Sequence, residues 1–109
     1  MRLANRLLMP LTLIAVMCGS IGLYLGLITS PPDYQQGDTV RIIYLHVPAA
    51  WLALFGYVGL GICGIFYIVW RHPLADVAAK TAAPIGAAFT FLSLLTGSLW
   101  GRPMWGTWW

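Results

Sequence analysis

Three stretches of this chain, residues 7–28, 49–70 and 81–100, contain no charged side chain. A helix packed on a soluble core must show water a polar stripe, and runs this long and apolar leave little room for one. Each is long enough to cross about 30 Å of hydrocarbon as a helix. Composition agrees, because 60% of the 109 residues are hydrophobic and 8% are charged, against about 25% charged in a soluble domain. The expected fold is an all-α integral membrane protein, a single membrane domain over residues 1–109 with three transmembrane helices. Six Lys and Arg against three Asp give a net charge of +3. That is too thin for a nucleic-acid footprint, so the expected surroundings are the lipid bilayer and no nucleic acid.

The breaks between the runs carry proline or charge. The first run follows Arg2 and Arg6 and is succeeded by "TSPPDYQQGD". A cleavable signal peptide has an apolar core of only about 7–15 residues before a small-residue cleavage site, so this run reads as a retained helix. Pro10 falls near its start, and Gly22 and Gly26 offer a face for close packing. Pro31-Pro32 ends it and Gly37-Asp38 signals a turn. Pro48 is expected in the first turn of the second helix, with Val47 extended and His46 just outside the helix start. Gly56, Gly59, Gly61 and Gly64 thin the middle of that helix, as close helix approach requires. Arg71–Lys80 reads as a short polar connection, and Pro103 as a stop to any helix continuing beyond residue 100.

Lys and Arg near helix ends set orientation. Arg2, Arg6, Arg71 and Lys80 fall on one side and Arg41 and Arg102 on the other. That bias puts the N-terminus in the cytoplasm and the C-terminus of this chain outside, together with the 33–41 loop and His46. Cys18 and Cys63 lie inside apolar runs, with no Cys-x-x-Cys and no haem-attachment pattern, and read as small buried hydrophobes.

No catalytic constellation is visible. The sequence lacks a Gly-rich phosphate loop, paired carboxylates and a Ser/His/Asp grouping, so no enzymatic activity is expected. Two features on the outer side remain. The first is Trp100, Trp105, Trp108 and Trp109, the first two each followed by glycine, Gly101 and Gly106. An interfacial aromatic belt is one reading. The other is a platform on which a planar apolar ligand stacks while side-chain-free backbone approaches it, with Arg102 facing an anionic group. The second feature is His46, at the mouth of a helix on the same side. It is either a structural histidine or an axial ligand, because haem iron is commonly held by imidazole. His72, in the opposite connection, cannot share a site with it.

The segments "RIIYLHVPAAW" (41–51) and "GSLWGRPMWGTWW" (97–109) resemble those of the heme exporter protein C family, CcmC, of bacterial cytochrome c maturation. The resemblance extends over essentially the whole chain. It implies a six-helix bundle in the bacterial inner membrane, of the tryptophan-rich haem-handling superfamily. It implies a subunit that binds haem b transiently and presents it at the external face for transfer to the haem chaperone CcmE. The partners so implied are ABC-type transporter subunits and a small membrane subunit of the maturation complex. His46 would match the first of two external axial histidines and so be the metal ligand. Trp100, Gly101, Trp105, Gly106, Trp108 and Trp109 would match the opening of the tryptophan-rich segment, expected along the outer membrane surface over 100–109. The family's Trp-Asp pair, second axial histidine and three later helices do not occur here, so the chain is expected to be the first half of a longer protein. Two alternatives stand beside this reading: a haem lyase subunit of the same superfamily, and a cofactor-free assembly subunit whose tryptophans only anchor it.

Overall fold

The computed structural model of the protein describes residues 2–108. Three α-helices follow one another: α1 (Arg2–Tyr24), α2 (Ile43–Trp70) and α3 (Pro73–Trp105). A π-helical turn, Leu25–Thr29, extends α1, and a 3-10 turn, Asp38–Ile42, leads into α2. All three helical segments are long and apolar enough to cross a membrane, as an all-α membrane protein requires. The chain divides into two compact units, one ending at Tyr44 and the other beginning at Leu45.

The helices outrun the charge-free stretches. α2 begins at Ile43 and not near residue 49, and α3 occupies 73–105 and not 81–100. An apolar run marks what hydrocarbon must cover, whereas capping groups set where a helix ends. At 1.5 Å per residue, the 28 residues of α2 and 33 of α3 measure about 42 and about 50 Å, more than the bilayer core needs. The surplus of α3 is polar at both ends. Lys80 Nζ meets Asp76 Oδ2 at 2.7 Å across one helical turn, and Arg102 lies in the last turn.

Most of the expected Arg71–Lys80 connection is therefore helix, and the link itself is Arg71–His72. Arg71 closes α2 in the left-handed region at φ 51°, its N–H still bonded to the Tyr67 carbonyl at 2.9 Å. His72 is the extended N-cap of α3 and Pro73 opens the helix, where a missing N–H costs nothing. At the far end Gly106 takes the left-handed cap position, φ 77°, and its N–H bonds the Arg102 carbonyl at 3.0 Å.

Pro48 and Pro103 both lie further inside their helices than expected. Pro103 does not stop α3, which runs to Trp105; so close to the C-terminus, proline removes only one amide bond, to the Leu99 carbonyl. Pro48 does not leave Val47 extended or His46 outside α2, because the 3-10 turn has already wound the chain and both residues are helical. Pro48 then lies in the second turn, where its missing N–H spares only the Tyr44 carbonyl.

In the first unit the π turn folds the chain back. The Ser30 N–H and the Thr29 hydroxyl both donate to the Leu25 carbonyl at 2.9 Å. Gly26, buried in that turn, lies under Tyr44, and a Cβ there would stand 2.8 Å from the Tyr44 Cβ. The Ser30 hydroxyl meets the Tyr44 hydroxyl at 3.1 Å, and Arg41 Nε donates to the Ser30 carbonyl at 3.2 Å. Of the expected small-residue pair, Gly26 makes the close contact and Gly22 meets nothing within 4 Å.

In the second unit α2 and α3 pack as an antiparallel hairpin on small residues. A Cβ on Gly56 would lie 3.3 Å from the Gly86 Cα. Ala49 and Ala53 are the buried apolar side chains among the described residues. Gly59, Gly61 and Gly64 face open space. Large side chains such as Phe55, Ile68, Phe91 and Leu94 are exposed. With no hydrophobic gain between helices in lipid, small residues allow the backbone approach that dispersion needs.

Candidate functional site

The hairpin brings the N-terminal turns of α2 beside the C-terminal turns of α3. There, within the second unit, an open recess of about 320 Å³ is lined by His46, Ser93, Gly97, Trp100, Gly101, Trp105 and Trp108, with Leu94 and Ser98 completing it. Two sequence motifs about 50 residues apart thus meet in one place because the turn at Arg71–His72 reverses the helix direction. His72 lies at the other end of the hairpin, the length of α2 away. From His46 to Trp70 that is about 36 Å at the helical rise of 1.5 Å per residue, so the two histidines cannot hold one ligand.

His46 is half-buried and tied to α3 through one ring nitrogen. Its Nδ1 lies 3.1 Å from the Ser93 carbonyl oxygen and 3.0 Å from Thr96 Oγ1. A carbonyl oxygen only accepts, so Nδ1 is the donor. The Thr96 hydroxyl spends its single proton on the Leu92 carbonyl at 2.7 Å, which leaves its oxygen to accept as well. The tautomer assigned by these partners is Nδ1–H, and Nε2 keeps its lone pair. Gly97 permits the approach: a Cβ there would stand 3.1 Å from His46 Cε1.

The tryptophans do not form a flat stack. Trp100 and Trp105 pack edge to face, with ring centroids 4.8 Å apart and planes at 83°. Trp108 is covered by the Arg102 guanidinium, whose Cζ is 5.6 Å from the ring centroid, a cation–π distance. Arg102 Nη1 also donates to the Gly106 carbonyl at 2.6 Å, so the guanidinium staples the segment after α3 to its last turn. Trp105 and Trp108 remain substantially exposed, 69% and 46%, which leaves large apolar rings open to a ligand.

The two glycines do different work. Gly101 is buried, and a Cβ there would come within 3.3 Å of the Thr107 carbonyl oxygen; its bare backbone lets the chain fold back over α3. Gly106 supplies the left-handed cap that makes this return possible and does not line the recess. Trp109 lies outside the described residues. The expected external segment 100–109 is accordingly helical to Trp105, then reverses at Gly106.

Ser93, Thr96 and Gly97 did not stand out in the sequence, where they sit inside an apolar run. Their signal is spacing: residues at i, i+3 and i+4 share one helix face, and here small and polar groups occupy it together. Among the described residues no group of three or more His, Cys, Asp or Glu side chains gathers to hold a metal. One imidazole with a free lone pair among indole rings suits a metal that a planar organic ligand already carries.

A family model described as CcmC, heme exporter protein C, matches residues 1–109. The chain is 60% identical over 107 residues to heme exporter protein C of Bradyrhizobium diazoefficiens, covering 98% of this chain and 40% of that protein. It is 46% identical over 99 residues to heme exporter protein C of Escherichia coli K12, covering 91% and 40%. It is 48% identical over 90 residues to a mitochondrial protein of Marchantia polymorpha whose name calls it ccmC-like and of cytochrome c biosynthesis, covering 83% and 40%. The chain spans about two fifths of the length of these relatives.

Proposed function

The chain belongs to the heme exporter protein C family, and from that premise we propose that it presents haem at the external face of the bacterial inner membrane. The haem is cargo, bound transiently and passed to a chaperone of the CcmE kind, within a complex that includes ABC-type transporter subunits and a small membrane subunit. The observation that carries this reading is the convergence of His46 with Trp100, Trp105 and Trp108 on one recess at one end of the α2–α3 hairpin.

In this reading His46 supplies an axial ligand through Nε2, while Nδ1–H is held by the Ser93 carbonyl and Thr96. The exposed faces of Trp105 and Trp108 cover the porphyrin and exclude water from it. Arg102, anchored over Trp108, would supply positive charge for an anionic group of the ligand. This chain makes and breaks no covalent bond in the process. An open recess favours binding that captures haem and still releases it.

The test is simultaneous replacement of Trp105 and Trp108 by alanine in the intact protein. The haem-to-protein ratio should fall while membrane insertion is unchanged. A normal haem content would return the tryptophans to an interfacial anchoring role.

A further inference from the structure

We propose that Thr96 is a positioning residue for His46, acting with the Ser93 carbonyl to fix which imidazole nitrogen is basic. The inference rests on His46 as haem ligand only for its consequence; the tautomer itself follows from hydrogen-bond geometry. A free histidine exchanges its proton between two nitrogens, and a ring that lines a binding recess with the wrong one protonated offers no lone pair there. Thr96 removes that choice. It is buried, 5% exposed, in the middle of a hydrogen-bonded chain from the His46 ring to its oxygen at 3.0 Å and from its hydroxyl to the Leu92 carbonyl at 2.7 Å.

Three features make this more than a packing contact. The hydroxyl proton is already committed to a backbone carbonyl, so the oxygen is left as an acceptor aimed at the ring. The Ser93 carbonyl, 3.1 Å from the same nitrogen, is a second acceptor of the same polarity, so the two share one N–H and each strengthens the preference for it. Gly97, one residue on, brings the ring close enough for both bonds to form. A hydrogen bond to the second imidazole nitrogen raises ligand basicity and fixes ring orientation, and its loss typically weakens a metal–histidine site about 10–100-fold.

The experiment compares native protein, Thr96→Val and Thr96→Ser, each intact, with the His46 ring signals assigned as those that vanish in His46→Gln. Nitrogen-15 spectra of the haem-free protein in bilayers report the tautomer, and titration with iron-protoporphyrin reports affinity. Native protein and Thr96→Ser should show Nδ1 protonated and bind haem alike. Thr96→Val keeps shape and the Ser93 carbonyl but loses one acceptor, so the Nε2–H form should grow and haem affinity should drop by about 10-fold or more. An unchanged tautomer in Thr96→Val overturns the proposal, whether haem affinity falls or not. A shifted tautomer in a protein whose native form takes up no haem upholds the positioning of the ring and sinks the haem reading instead.

Discussion

The Cε1 of His46 lies 3.1 Å from the point where a Cβ on Gly97 would stand. That clearance is tighter than ordinary van der Waals contact, so alanine at 97 must push the ring away by a few tenths of an ångström. Gly97→Ala should therefore lower haem retention in the intact protein by roughly an order of magnitude, as loss of ring orientation does elsewhere. It should not lower the amount of protein in the membrane, because alanine is the better helix former. Gly86→Ala is the control: its Cβ would meet its nearest neighbour at 3.8 Å, an ordinary contact, and haem content should stay native. Equal haem loss in both would trace the effect to the hairpin as a whole.

The loop before α2 carries a pH signature. Asp33 Oδ1 accepts from the backbone N–H groups of Gln36 and Gln35, both at 2.9 Å. These bonds, Gln36 first, hold its carboxyl below the ordinary 3.8. The ionised form is the one the turn favours. Its contribution is complete above the ordinary carboxylate range and disappears as pH falls through the lower folded value. The amide resonances of Gln35 and Gln36 should move together with a midpoint below 3.8. A midpoint at or above that value contradicts the turn.

Topology is tested at the two ends of α2. In a protein whose native cysteines, Cys18 and Cys63 among them, are replaced by alanine, Gln36→Cys should react with an impermeant thiol reagent added outside the cell. Asp76→Cys should react only after the membrane is opened. Labelling of both from one side would overturn the assignment of the 33–41 loop and His46 to the exterior.

Much of this architecture was legible in the sequence, and the misses share one cause. Absence of charge over 7–28, 49–70 and 81–100 reports on what lipid surrounds, and it located the three α-helices. Helix ends obey caps, and the cues were present: Pro73 after an extended His72, and Gly106 after Arg102. They were outweighed by Asp76 and Lys80, which read as loop although they pair along a helix face, and by Pro103, whose effect is small in a last turn. The site was legible as two motifs but not as a geometry. Nothing local in "SLLTG" announces that Ser93, Thr96 and Gly97 meet His46; that follows only from the register of α2 on α3.

The most direct test of the account is the haem absorption spectrum of the intact protein beside that of His46→Ala at matched protein concentration. Two acceptors at Nδ1 keep the Nε2 lone pair of His46 available to ligate haem iron. The variant should lose the native ligation bands and retain less haem, and added imidazole should restore part of the spectrum by filling the vacated position. A variant spectrum identical to the native one would show that His46 only ties α2 to α3.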